Sequence, residues 1–280
     1  MLKIQETKVK NVIVKTRLPG GGFCANPYVG CTHKCEYCYA TFMRKMTNHP
    51  EPWGDFLDVK YWSPIKDPQK YRNQNLFISS ATDPYLPEEE RYQRTRELLM
   101  ELQGIDVKLS IQTKSDLVLR DMDLLQEFPH VRIGFSINTL DENFKNQMDC
   151  AVSIERRIAA MKKLHDSGIL TTCFIAPIFP GITNIKAIIN EVKDCCDFIW
   201  LENLDLKNDR KYPILSYIRE NYPKLYPLYD AIYFRGNISH WLLVDQDIYG
   251  FAKRNGMKYL KHEETWIADK NPIITNFFHY

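Results

Sequence analysis

Cys31-Thr32-His33-Lys34-Cys35-Glu36-Tyr37-Cys38 decides how the rest of the chain is read. It is a C-x3-C-x2-C run led by Gly30. Spacers this short let one loop wrap three thiolates around a soft metal centre. The odd number is the informative part. A structural zinc or an ordinary electron-transfer cluster takes four protein ligands. Three leave one iron of a [4Fe-4S] cube without a protein ligand, open to a small molecule. Two other readings stand beside it: a zinc site completed by His33 or Cys24, and three structural cysteines with no metal. So tight a spacing on a Gly-led loop is uncommon as a core pattern.

Working outward, the chain has 280 residues, 44% apolar and 26% charged, enough for one large α/β domain, or two small ones, with an ample core. No apolar run is long enough to span a membrane, and Met1-Leu-Lys-Ile-Gln-Glu6 is not a secretory signal. Eight cysteines without a leader predict a reducing, cytoplasmic setting and metal or catalytic use of thiols. Cys150, Cys173, Cys195 and Cys196 read as structural. His33, inside the loop, reads as solvated. A net charge of +2 argues against a surface that grips a duplex along many phosphates, although a local basic groove is compatible with it.

Upstream of the loop, Val9 to Thr16 reads as a short strand, broken by Pro19-Gly-Gly-Gly22. Phe23 to Pro27 leads into a first barrel strand, and Tyr39 to Met46 reads as helix. Residues 47–72 read as an insertion over that helix, its aromatics there for packing. A regular alternation follows, with strands at Leu76–Ala81, Val107–Thr113, Val131–Ile137, Leu170–Ile178 and Phe198–Leu201. Helices fall between them at Glu88–Gln103, Asp121–Phe128, Ser153–Ser167 and Asn184–Asp194, with another at Tyr212–Asn221. Strands alternating with helices imply a parallel sheet, and right-handed crossovers curl it toward a barrel. About six βα units are present, short of the eight that close a full barrel. The expected fold is α/β, a partial (β/α)6 TIM-type barrel over about 23–205. A helical extension over about 206–280, with helices at Lys224–Arg235 and Trp241–Arg254 and a strand at Met257–Leu260, covers it within a single domain. Trp266 and Phe277 to Tyr280 are expected to cap the open side.

Parallel barrels carry their sites at the C-terminal ends of the strands. The strand ends here turn polar at Ser79-Ser-Ala-Thr82-Asp83, Gln112-Thr-Lys114, Ser136-Ile-Asn138-Thr139 and Glu202-Asn203-Leu-Asp205. Each can be read as a cap or a turn, but their succession on one rim points to a pocket.

The motifs NPYVGCTHKCEYCYA, TDPYLPEE, QTKS, SINTLDE, RRIAAMKKLHDSGI and APIFPGITN together resemble the spore-photoproduct-lyase-like branch of the radical S-adenosylmethionine (SAM) superfamily. The resemblance covers about residues 23–205. It implies that Cys31, Cys35 and Cys38 hold a catalytic [4Fe-4S] cluster, with Tyr37 beside the SAM adenine. Lys114, Ser136 and Arg157 are then expected near the SAM amino-acid moiety, and Ser80, Thr82 and Asn138 complete the cofactor rim. The family's chemistry is a one-electron reduction that breaks a SAM carbon–sulfur bond, so that a 5′-deoxyadenosyl radical takes a hydrogen atom from substrate. An external reductant such as flavodoxin or ferredoxin is implied. The branch's namesake has a cysteine at the end of its second strand that returns a hydrogen atom to the product radical. This chain has Ser80 at or next to that place, which counts against DNA photoproduct repair. Queuine lyase, in the same branch, cuts the free base queuine to the 7-deazaguanine preQ1. A guanine-like edge is read well by a carboxylate and an amide, which Glu202, Asn203 and Asp205 offer, with Tyr85, Phe179 or Trp200 to stack on the ring. The alternatives are a repair lyase on DNA, a radical enzyme for another small molecule or peptide, and a non-enzymatic iron–sulfur carrier or sensor.

Overall fold

A computed structural model describes residues 2–16, 21–206, 209–261 and 272–276. In chain order its strands are β1 (Lys3–Lys8), β2 (Ile13–Lys15), β3 (Phe23–Ala25), β4 (Tyr28–Val29), β5 (Phe56–Tyr61), β6 (Asn75–Ile78), β7 (Lys108–Thr113), β8 (His130–Ser136), β9 (Leu170–Ile178), β10 (Phe198–Asn203), β11 (Tyr259–Lys261) and β12 (Ile273–Asn276). The helices are α1 (Met43–Met46), α2 (Glu89–Tyr92), α3 (Arg94–Glu101), α4 (Met122–Leu125), α5 (Glu142–Met148), α6 (Ile154–Asp166), α7 (Ile185–Val192), α8 (Lys211–Asn221), α9 (Tyr226–Tyr233) and α10 (Ser239–Arg254).

The expected six barrel strands lie side by side and parallel, in the order β10-β9-β8-β7-β6-β3. Two features extend them. β12 pairs in parallel with β10 and carries β11 on its far side, while β2 adds an antiparallel edge beside β3. The extension is therefore helices plus two strands that lengthen the sheet. Trp266 and Phe277 to Tyr280 lie outside the described residues.

Register assigns the two faces, because side chains alternate along a strand and paired residues share a face. Leu76, Ile78, Leu109, Ile111, Ile133 and Phe135 are buried in the main core. The other face carries Cys24 and Phe77, then Gln112 in register with Gly134, and Ser136 in register with Phe174 and in turn Trp200. Several of these, Phe77, Gln112, Phe174 and Trp200 among them, are only half-buried, so the concave face lines an open lumen.

The helices follow their sequence signals. Ser153 caps α6 by accepting from the Arg156 N–H, and Asn184 caps α7 by accepting from the Ala187 N–H. The helix expected over 88–103 is broken at Gln93, which is left-handed at φ 50°. The residues after Cys38 form one 3-10 turn, Tyr39–Phe42, before α1. The 47–72 insertion contributes β5 to a small second sheet, ordered β1-β5-β4, which packs behind the cysteine loop.

Candidate active site

The cysteine loop is wedged between two small cores. Cys31 packs with Tyr28, Trp53 and Phe56 under the small sheet, and Cys35 packs with Tyr37, Phe144 and Phe179. Gly30 begins the loop at φ +92°, and a Cβ there would fall 2.2 Å from the Phe56 carbonyl oxygen, so no other residue fits. Backbone bonds fix the rest: the Cys150 N–H donates to the His33 carbonyl at 2.7 Å and the Glu36 N–H to the Met148 carbonyl at 2.9 Å. His33 corrects the expectation of a solvated side chain. It is 2% exposed, with Nε2 3.1 Å from Asp83 Oδ2. Asp83 accepts from the Thr113 hydroxyl at 2.7 Å and from the Lys114 and Tyr85 N–H groups at 2.7 and 2.9 Å. Burial pushes its carboxyl up, but His33 and Thr113 outweigh it and hold it below the ordinary carboxylate range. This knot ties the loop to the end of β7.

The three thiols suit a cluster. Burial pushes all of them up, and for Cys31 the charges of Cys35 and Cys38 push further. Cys35 is raised to about 12. Three thiolates so placed repel one another, and a cationic centre relieves that repulsion as it displaces their protons. Among the described residues no three His, Cys, Asp or Glu side chains close on one ion position. A cube does not require it, since each thiolate takes a different iron.

The residues expected around SAM separate into two groups. Lys114 Nζ lies 5.6 Å from the Tyr37 ring centroid and makes no hydrogen bond or ion pair among the described residues. Burial pushes the Lys114 ammonium down, but the charges of Cys35 and Asp149 hold it above its ordinary value. It is a cation beside the cluster loop, available to a carboxylate. Arg157 is different. It is fully buried, donating to Asp149 Oδ1 at 2.7 Å, the Ser136 carbonyl at 3.1 Å and the Val152 carbonyl at 3.0 Å. Its charge is spent within the protein, so it supports Ser136 and Tyr37 from beneath. The Tyr37 hydroxyl donates to the same Asp149, at 3.2 Å. Ser136 Oγ accepts from Gln112 Nε2 at 3.1 Å. The Asn138 Nδ2 and the Thr82 hydroxyl are buried without a partner among the described residues, polar atoms that a bound cofactor can satisfy. Ser80 Oγ accepts from the Cys24 thiol at 3.2 Å.

The expected substrate residues are brought together only in part. Tyr85 is fully buried in the main core and feels the charges of Asp121 and Glu89, so its ring offers no stacking surface to the lumen. Phe179 is also sealed, edge-on to Tyr37 at 5.7 Å and to Phe144 at 5.0 Å. Trp200 does face the lumen, stacked with Phe174 at 6.2 Å and 21°. Glu202 Oε1 accepts from Trp200 Nε1 at 2.9 Å and from Asn276 Nδ2 at 3.0 Å. The amide beside this carboxylate is thus Asn276 of β12, not Asn203, and Asp205 is exposed beyond the strand. Cys150 is exposed rather than structural in the core. Asp149, Phe174, Asn276 and Tyr39 were not expected at the site from the sequence. Tyr39 is 58% exposed, donates its hydroxyl to the Ser80 carbonyl, and feels the charges of Cys38, Glu202 and Cys24, so it stands at the lumen mouth.

A thiol-lined loop over an open parallel barrel meets a matching family assignment: residues 25–192 match the radical SAM superfamily, and the chain belongs to it. Enzymes of this superfamily use a [4Fe-4S] cluster and SAM, and a solved spore photoproduct lyase variant carries bound AdoMet. Among relatives, an uncharacterised protein of Methanocaldococcus jannaschii is 38% identical over 230 residues, covering 81% of this chain and 86% of its own. A radical SAM Nalpha-GlyT isomerase of Pseudomonas phage M6 is 26% identical over 160 residues, 56% of this chain and 33% of its own. The fold is similar to that of a spore photoproduct lyase variant solved with dinucleoside spore photoproduct, with TM-score 0.57 and 17% identity, over 79% of this chain and 66% of the lyase. No helix among the described residues is long and apolar enough to cross a membrane.

Proposed function

We propose that this radical SAM enzyme is a lyase acting on a free 7-deazaguanine base, taking queuine to preQ1. The observation that carries the reading is Glu202. One carboxylate oxygen is fixed by Trp200 and Asn276, which orients the side chain beside the Phe174–Trp200 stack and leaves its second oxygen to accept from a ligand. A guanine-like ring has a π face for the aromatics and N–H donors for the carboxylate.

When bound, the cluster and SAM supply a carbon-centred radical that removes one hydrogen atom from the substrate. The chain's own residues do the rest. Lys114, beside the cluster loop, would hold the SAM carboxylate, Tyr37 is braced by Asp149, and Gln112 and Ser136 are joined on the lumen face. The test is anaerobic: reconstitute and reduce the cluster, add SAM, and follow 5′-deoxyadenosine and preQ1 by mass spectrometry. Queuine should stimulate 5′-deoxyadenosine formation and yield preQ1, and Glu202→Gln should raise KM for queuine about tenfold or more through the lost charge-assisted bond. SAM cleavage that ignores queuine would overturn the substrate. No SAM cleavage under strong reduction would favour a carrier or sensor.

One observation favours a second substrate, a damaged base within DNA. The thiol missing from the end of β6 is present next to it, as Cys24 on β3, 3.2 Å from Ser80 Oγ. A lumen thiol can return a hydrogen atom to a product radical. If a dinucleoside photoproduct rather than queuine stimulates SAM cleavage, and Cys24→Ala diverts its product, this reading replaces the first.

A further inference from the structure

The lumen has a floor as well as walls. Two residues before Ser136, Phe174 and Trp200, one row crosses the sheet in register: Gln112 on β7, Gly134 on β8, Thr172 on β9 and Phe198 on β10. Residues in register share a face, so this row lines the lumen one layer deeper. Gly134 is the gap in it. A Cβ there would fall 2.1 Å from Gln112 Oε1, so the missing side chain is what lets the Gln112 amide lie across β8. Gln112 Nε2 donates to Ser136 Oγ at 3.1 Å, which fixes the direction of the amide.

Two polar groups beside the glycine are left unmet. Gln112 is half-buried, and its Oε1 accepts from nothing among the described residues. On the other side of Gly134, the Thr172 hydroxyl is buried without a partner among the described residues. Polar groups taken from water are costly to leave unmet, so a ligand that satisfies both is favoured. Neither group is charged, and the ligand edge they suit is neutral, with a donor beside an acceptor. Glu202 stands across the lumen on β10, three strands from β7, about 14 Å of sheet before it curls. A fused bicyclic base with hydrogen bonds at both ends bridges a gap of that order. When the Watson–Crick edge of a 7-deazaguanine meets Glu202, its far end presents the pyrrole N9–H, with the N3 acceptor next to it. Only the free base has that N–H; in a nucleoside the same nitrogen carries the sugar.

We propose that Gln112 and Thr172 form a subsite in the lumen floor that selects the free base over its nucleoside, Gln112 Oε1 accepting from N9–H and the Thr172 hydroxyl donating to N3. Gly134 makes room for it. The subsite rests on the reading of Glu202 as the contact for the opposite edge of the base.

The test uses the reconstituted, reduced full chain with SAM and compares queuine with its 9-methyl derivative, which lacks the N–H. Methylation should lower kcat/KM of the wild-type chain about tenfold or more. It should lower that of Gln112→Ala by less than about threefold, because the partner and its bulk are both gone. With queuine itself, Gln112→Ala should raise KM about tenfold and leave kcat within about threefold. SAM affinity, measured by calorimetry, should not move. Equal methylation penalties in the two chains overturn the subsite. So does a loss of SAM affinity that parallels the rise in KM, since Gln112 would then serve the cofactor. Thr172→Val should raise KM for both bases alike, about fivefold, and an unchanged KM overturns the N3 contact. If Gln112→Ala fails to load its cluster, Gln112→Asn, which withdraws the amide from Gly134, decides by the same comparison. Wild-type SAM cleavage that ignores queuine overturns the lyase reading and the subsite together. Queuine turned over with no methylation penalty overturns the subsite alone.

Discussion

Asp149 shows how much a single carboxylate can organise. It sits 2.7 Å from Arg157, 3.2 Å from the Tyr37 hydroxyl and 3.6 Å from Lys145, and it accepts from the Ala151 N–H at 3.1 Å. Burial pushes its carboxyl up, but Arg157 and Lys114 more than compensate and hold it below its ordinary value. Asp149→Asn strands the fully buried Arg157 charge, which should cost about 3–5 kcal/mol in urea unfolding at pH 7. The sign of the pH dependence follows from the depressed value. The carboxylate contributes its full stability above the unfolded pKa of about 4 and loses it as pH falls through the folded value. The gap between wild type and Asp149→Asn should therefore be constant from pH 5 to 8 and narrow below about pH 4. A gap that widened in acid would contradict the ion pair.

At the scale of elements, α5 carries that aspartate into place. Asp141 starts the helix by accepting from the Asn143 and Phe144 N–H groups at 2.8 and 3.3 Å, and Asp149 terminates it. Asp141→Ala should cost about 1 kcal/mol in thermal unfolding, the worth of an N-cap, and should weaken SAM binding measured by calorimetry, because Tyr37 loses its brace. Loss of stability with unchanged SAM affinity would show that α5 and the cofactor side are independent. This helix was not legible in the sequence. Glu142 to Met148 is mostly polar, and its apolar residues are Phe144 and Met148 alone, too few to show a helical period. β1 was missed for a related reason: Lys3–Lys8 is largely exposed and joins β5 through backbone bonds that leave no pattern in side chains. The barrel strands were legible because each is an apolar run of the right length, followed by a polar residue and a capped helix. The three cysteines were legible because local spacing alone assembles them. The far wall of the lumen was not, since Glu202 and Asn276 are brought together by sheet order across 74 positions of sequence.

Across the whole molecule, the sheet has a protected middle and two weak ends. β7, β8 and β9 are flanked on both sides by parallel neighbours, whereas β11 and β2 are three-residue edges. Hydrogen exchange followed by mass spectrometry should find the amides of Leu109 to Thr113 and Val131 to Phe135 the slowest, near the global unfolding limit. Those of β1 and β11 should exchange orders of magnitude sooner. Uniform protection would mean that the edges are clamped by more than their short ladders. The same layout divides the lumen by ancestry. Cys31, Cys35, Cys38, Lys114 and Ser136 lie within residues 25–192, the span that matches the superfamily, while Trp200, Glu202 and Asn276 lie beyond it. If Glu202 and Trp200 meet the substrate as proposed, mutation there can redraw one wall without touching the residues proposed for the cofactor. A lineage built this way can inherit its radical generator intact and exchange its diet by altering the last third of the gene.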